Sequence, residues 1–375
     1  MKGRISLIIR TICFFLILVF VLGCVFAVFS MPPDLQRDRY RLQTFYQQPK
    51  NSLDAVVIGA SGVYRGYSSI DAWSNYGLST YAYSAAQLPA QGVKYVVKDI
   101  LKTQDPDVIV IDYRTFAKNL FKDISQAEFS TRHTADNMPI SKNQYDFVKS
   151  MMDTYDLPTD DNGSEYFFSF LKYHQRWQNS PSEGGITIDE IKTQMEKLKG
   201  DYIDKTQGTL YTERGFKRKK TEDYRSSPPK ETDPIFPEME KSLLELCDYL
   251  KGIDQEVLFV AIPANYPIKA AKRLNHVEQI LDNEGFDYLN MMYINDKTGI
   301  DPAMDFYNPT HANHYGREKI TKYLSKYMVD KYDLPDHRGD PNYAYWDDAN
   351  KEAQKIIADI EKAIENKDKN KSKTK

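Results

Sequence analysis

The stretch that decides the fold is Asp54-Ala-Val-Val-Ile-Gly-Ala-Ser-Gly-Val-Tyr-Arg-Gly66. Its apolar run, Ala55 to Ile58, predicts a short strand buried on both faces. The run ends in Gly59-Ala60-Ser61-Gly62, a group of small residues around one hydroxyl. A Cβ at Gly59 or Gly62 would hinder a tight turn. Such a turn aims the Ser61 hydroxyl and its neighbouring amides at one point. In an open parallel sheet, ligands sit beyond the carboxyl ends of the strands, and Ser61 stands there. From this stretch alone, a plain βα turn, a phosphate cradle and a nucleophile all remain open. No G-x-S-x-G frame surrounds the serine, and no G-K-[ST] follows it.

Working outward, strand and helix patterns alternate. Ser79–Ser84 and Asp107–Asp112 predict two further strands, with an amphipathic helix between them starting near Pro89. The alternation stops near Tyr113 and resumes near Phe236, with the helix from Pro237, the strand Glu256–Pro263, a helix from Ile268, the strand from Phe286 and a closing helix near Ala312–Met328. Strands alternating with helices predict a parallel sheet covered on both faces, an α/β fold. The domain is expected over 51–335, with a mostly helical insertion at about 113–237. Beyond it, 336–375 is expected to be a helix fading into a disordered lysine-rich tail.

Ahead of the domain, Thr11 to Phe29 carries no charge. That length crosses roughly 30 Å of hydrocarbon as a helix. Residues 1–30 are therefore expected to be a cytoplasmic stub and single-pass membrane anchor, and 31–50 a polar tether. Val-Phe-Ala-Val-Phe-Ser is a poor cleavage site, and the residues after Cys24 stay apolar, unlike a lipidation site. Lys2, Arg4 and Arg10 precede the span while Arg37, Arg39 and Arg41 follow it, so basic residues alone leave orientation open. Of three cysteines, only Cys247 lies beyond the span, which excludes an intramolecular disulfide there. The net charge of −3 excludes nucleic acid as an expected partner.

A base for Ser61 is sought in Asp305-Phe-Tyr-Asn-Pro-Thr-His-Ala-Asn-His314. His311 precedes the closing helix, and Asn308 lies three residues earlier. A residue at that spacing can bond one ring nitrogen and orient the other, as in a triad. A capping or core histidine fits the same spacing. His314 suggests a metal pair, but no ligand set is complete nearby, and neither metal nor cofactor is expected.

Together, Gly59-Ala60-Ser61 and Asn308-x-x-His311 make the chain resemble the SGNH/GDSL hydrolase superfamily. The likeness covers about Leu53–Asp112 and Glu238–Met328. It is closest to a membrane-anchored extracytoplasmic branch, which includes polysaccharide O-acetyltransferases and a protein of lipoteichoic acid D-alanylation. The resemblance implies a three-layer α/β/α, flavodoxin-like fold, Ser61 as nucleophile, His311 as base and Asn308 in the place of the acidic member. It further implies a serine acyl-esterase or acyltransferase on a cell-envelope glycan or teichoic acid, outside a Gram-positive membrane, with a membrane-bound acyltransferase as partner. The chain departs from the family pattern at Ala60, where an aspartate is usual. The second-block glycine falls near Ser84 and Ala85, and Asp112 and Arg114 stand near the third-block asparagine. Gly62, Ser84, Ala85, Gln87, Asp112 and Arg114 are expected around the oxyanion or substrate. Asp305 is a candidate source of the missing charge. His174, Arg176 and Trp177, in Tyr-His-Gln-Arg-Trp, suit either a sugar and an anion or a structural anchor. The basic run Lys217–Lys220 fits a solvated loop or contact with an anionic polymer. A non-catalytic envelope module of the same fold is the competing expectation.

Overall fold

Five short segments pair as parallel strands: β1 (Ala55–Gly59), β2 (Thr80–Ser84), β3 (Val108–Asp112), β4 (Glu256–Ala261) and β5 (Asp287–Asn290). The structure is a computed structural model, and it describes residues 2–29, 39–159, 163–192, 206–211, 228–264 and 267–373. The spatial order is β2-β1-β3-β4-β5. Gly59 lies opposite Ser84, Ile58 opposite Ile111 and Asp112 opposite Val260, so the carboxyl ends of β1, β2 and β3 finish together. The order reverses between β1 and β3, which opens a crevice at that point.

Alternate side chains leave the sheet on opposite faces. Val56, Ile58, Ile109, Ile111 and Phe259 join one apolar cluster, with Val96 and Val97, Leu243 and Cys247, and Leu274 and Val277 from helices Ala90–Ile100, Pro237–Leu250 and Ile268–Glu284. Val57, Val110, Leu258 and Val260 join the other, with Val63, Ile320, Leu324 and Met328. The fold is thus a mixed α/β structure around a five-stranded parallel sheet.

The N-terminal helix runs Lys2–Val28. Its stretch Arg4–Val25 is long and apolar enough to cross a membrane, with mean hydropathy 2.8 and no buried side chains. Residues 31–38 of the expected tether lie outside the described residues. The rest corrects that expectation, because Arg39–Phe45 is a helix docked on β2. Phe45 packs edge-on against Tyr81 and Tyr83, and the Tyr81 hydroxyl donates to the Arg41 carbonyl at 2.5 Å. Leu42 and Phe45 are fully buried and anchor this segment.

The middle region is not a clean insertion either. Its first residues, Tyr113 and Phe116, are core. Helices Ile124–Ala135 and Lys142–Tyr155 share a separate cluster through Ala127, Phe147 and Met151, and Tyr95 joins it from the sheet-covering helix. Residues 206–211 return to the sheet, where the Ala82 amide donates to the Gln207 carbonyl at 3.1 Å. The Lys217–Lys220 run lies outside the described residues.

The C-terminal helix continues from Ala344 to Lys373. The expected helix is present and runs on into the lysine-rich segment. Ala, Glu and Lys are strong helix formers, and buried Ile357, Ile360 and Ile364 fix one face of the helix. At its start, Trp346 stacks on Trp73 with ring centroids 5.4 Å apart, and the Trp73 indole donates to Asp347 at 3.1 Å.

Candidate active site

Ser61 opens a short helix, Ser61–Gly66, directly after β1, with Ala60 as its N-cap. Neither Gly59 nor Gly62 has a positive φ, so the small residues serve close approach rather than an unusual turn. A Cβ on Gly59 would lie 2.5 Å from Val63 Cγ2 and 2.9 Å from Asp112 Cβ. A Cβ on Gly62 would fall inside the Arg114 guanidinium, 3.0 Å from its Cζ. The turn is therefore pressed against the residues that follow β3.

His311 comes from a two-stranded antiparallel ribbon, β6 (Phe306–Asn308) and β7 (His311–Ala312), whose turn is Pro309-Thr310. Asn313 caps the closing helix His314–Tyr332 by accepting from the Gly316 amide, and its own amide donates to the Met304 carbonyl at 2.6 Å. The ribbon is thus anchored at its exit. His311 Nε2 stands 2.8 Å from Ser61 Oγ, and Nδ1 stands 3.0 Å from Asn308 Oδ1. The Thr310 amide, which can only donate, points at the same Asn308 oxygen at 3.0 Å. That fixes the carboxamide orientation. Nδ1 therefore carries the proton, and the Nε2 lone pair faces the serine hydroxyl. Tyr307 stacks on the imidazole with rings 8° from parallel, and the Arg65 guanidinium lies 5.4 Å from the Tyr307 ring centroid.

Asp305 does not reach this network. Its carboxylate accepts from Lys319 at 2.8 Å and from the Asp301 amide at 2.6 Å, closing the loop before β6. Asn308 is the residue at the imidazole. Ser84 and Ala85 do not supply oxyanion donors as expected. The Ser84 hydroxyl donates to the Ala82 carbonyl at 3.3 Å, and the Ala85 amide to the Gly59 carbonyl at 3.3 Å, because β2 ends level with β1. The amides of Ser61 and Gly62 open a helix and have no intrahelical acceptor.

Beside Ser61 a cavity of about 230 Å³ fills the crevice between β1 and β3. Leu88, Pro89, Phe121 and Met239 give it an apolar wall. Gln87 lines it at φ +56°, held by the Ser130 hydroxyl on its carbonyl at 2.5 Å. Asp112 and Arg114 line it as a bidentate pair, with Nε to Oδ1 at 2.8 Å and Nη2 to Oδ2 at 2.5 Å, both nearly fully buried. Lys118 and Thr115 line it too, and neither was singled out in the sequence. Their one sequence signal was position: both follow β3, next to the crevice. Burial pushes the Lys118 ammonium down to about 8, although Asp112 opposes the shift.

The Tyr-His-Gln-Arg-Trp residues do not join this cavity. Arg176 is buried, bidentate to Glu190 at 2.9 and 2.8 Å, and donates to the Gly184 carbonyl at 2.9 Å, so it ties its own segment together. His174 is exposed, with Nδ1 2.8 Å from the Leu171 carbonyl, and Trp177 is exposed. The neighbouring helix Ser169–Tyr173 packs on the N-terminal helix.

His314, Glu318 and Glu361 gather with ligand atoms mutually within 4.8 Å. Arg317 Nη2 donates to His314 Nδ1 at 2.7 Å, so the His314 proton sits on Nε2, facing both carboxylates at 3.3 Å. That nitrogen has no lone pair for a metal, and the cluster instead joins the C-terminal helix to the closing helix. Burial holds the Glu318 carboxyl above its usual range against the attraction of His314.

No family model, curated protein or solved structure matches the chain.

Proposed function

We propose that this chain is a membrane-anchored serine acyl-esterase or acyltransferase of the SGNH type, acting outside the membrane on a cell-envelope polymer. The observation that carries the proposal is the line Ser61 Oγ, His311 Nε2, His311 Nδ1, Asn308 Oδ1, with bonds of 2.8 and 3.0 Å. It lies at the crevice where a parallel sheet of this order binds ligands. Ser61 Oγ attacks an acyl carbonyl while its proton passes to His311 Nε2. The oxyanion forms against the Ser61 and Gly62 amides. Collapse expels the alcohol, which takes the proton from Nε2, and leaves acyl-Ser61. Water or a polymer hydroxyl then attacks the acyl-enzyme and gives its proton to His311 Nε2; collapse breaks the acyl–Oγ bond, Ser61 Oγ takes that proton back, and the acid or the acylated polymer leaves. Asn308 orients the imidazole but brings no charge to stabilise the imidazolium.

The apolar N-terminal helix supports the membrane anchor. The resemblance to envelope acyltransferases supports a glycan or teichoic acid acceptor and a membrane-bound acyl donor protein. A second reading, a non-catalytic module of this fold, is favoured by one observation: the Asp112–Arg114 pair stands near the family's third-block asparagine. Hydrolysis of p-nitrophenyl acetate by the purified full chain in detergent separates the two. The enzyme turns over and loses the activity in Ser61→Ala; the binding module gives equal, background rates in both proteins.

A further inference from the structure

The cavity beside Ser61 has an unbalanced charge. Asp112 is the only carboxylate among the described residues that line it, and its bidentate bond to Arg114 consumes both charges. Lys118 is left over. Among the described residues, its ammonium has no hydrogen-bond or ion-pair partner. Thr115, one turn earlier, is 2% exposed, and its hydroxyl has no partner either. Lys118 is half-buried on the wall of the same cavity as Thr115, and a buried polar group without a partner is costly. An anion would satisfy both, since ammonium and hydroxyl both donate to anionic oxygens.

We infer that the Ser61 cavity selects esters carrying an anionic group, carboxylate or phosphate, which sits on Lys118 and Thr115 while the ester carbonyl meets Ser61. The apolar wall of Leu88, Pro89 and Met239 takes the methylene portion between them. The same charge excludes aminoacyl esters. Their free ammonium would share about 230 Å³ with Lys118, with no carboxylate left to receive it. Burial holds the Lys118 ammonium down to about 8, and an anion held against it would raise it.

The inference rests on the catalytic proposal for the ester carbonyl, but not for the anion. Its test therefore has two arms. In the first, kcat/KM of the full chain in detergent is compared for 4-nitrophenyl hemisuccinate, acetate and alaninate. The hemisuccinate is expected to lead the acetate by about tenfold and the alaninate to trail both, as one charged hydrogen bond implies. Lys118→Met lowers the hemisuccinate-to-acetate ratio to near one, and Lys118→Arg largely restores it. In the second arm, Ser61→Ala protein is probed by saturation-transfer NMR with monomethyl succinate, sn-glycerol 3-phosphate and neutral methyl acetate. Both anions, or one, give a signal that Lys118→Met abolishes, and the stronger one identifies carboxylate or phosphate. Equal treatment of charged and neutral probes, or an undiminished signal in Lys118→Met, overturns the inference. Turnover of no ester together with Lys118-dependent anion binding overturns the catalytic proposal and leaves the anion site standing.

Discussion

Gly62→Ala is a steric probe of how the site is assembled. The added Cβ would lie 3.0 Å from Arg114 Cζ, 3.3 Å from Nη1 and well inside contact with Nη2. Ordinary carbon contacts begin at about 3.5 Å, so the guanidinium must retreat by about half an ångström at Cζ and by more than an ångström at Nη2. It cannot swing out to water. Arg114 is 3% exposed and gripped by Asp112 at 2.8 and 2.5 Å. Overpacking of this kind costs about 1–3 kcal/mol, and full rupture of the buried pair, at about 3–5 kcal/mol, sets the ceiling. Replacing a helical glycine returns roughly 0.5–1 kcal/mol. The expected net loss is about 2 kcal/mol. Urea unfolding of the chain beginning at Arg39 measures it, alone and with Arg114→Ala. Removing the guanidinium removes the clash, so Gly62→Ala on that background should be neutral or gain up to about 1 kcal/mol, giving a coupling near 2–3 kcal/mol. Equal costs on both backgrounds would refute the close approach of Arg114 to the serine turn.

Further outcomes follow from other parts of the molecule. Asn308→Asp adds the missing charge where three donors already converge, and should raise esterase kcat/KM by about tenfold; a fall would contradict the orienting role of Asn308. Asp54 is buried at the start of β1, and burial raises its carboxyl despite the His337 and Ser79 bonds. The folded form thus binds this proton more tightly than the unfolded one, so its contribution to stability falls as pH rises from about 4 through the raised value. The stability of wild type relative to Asp54→Asn should decline over that window in pH-dependent urea titrations, and a rise would contradict the raised carboxyl. Trp346→Ala removes a fully buried ring stacked on Trp73 and should cost about 3–5 kcal/mol, read as a lower urea midpoint; a loss below about 1 kcal/mol would mean the C-terminal helix is not part of the folded unit.

The strands were legible because parallel strands buried on both faces leave unbroken apolar runs, as in Val56-Val57-Ile58 and Val108-Ile109-Val110-Ile111. Ser61 and His311 were legible for a topological reason: one follows the first strand, the other precedes the closing helix, and the sheet brings both to one edge. The Arg39–Phe45 helix was hidden because its burial comes from the distant Tyr81 and Tyr83. The Ala85 amide was misjudged because its acceptor, the Gly59 carbonyl, depends on the register of β1 with β2. Asp305 looked available because proximity in sequence to His311 says nothing about Lys319, which claims it from one turn into the closing helix. Lys118 was silent since a lysine after a strand is ordinarily solvated; only the three-dimensional crevice half-buries it.

The most direct measurement is covalent labelling of the full-length chain in detergent micelles by a fluorophosphonate, with the modified peptide identified by mass spectrometry. Ser61 polarised by His311 at 2.8 Å should be the labelled residue. Labelling should vanish in Ser61→Ala and fall by about a hundredfold or more in His311→Ala, both still folded by circular dichroism. Absence of labelling in the folded wild type, or a label that survives Ser61→Ala, would contradict a Ser61–His311 nucleophile.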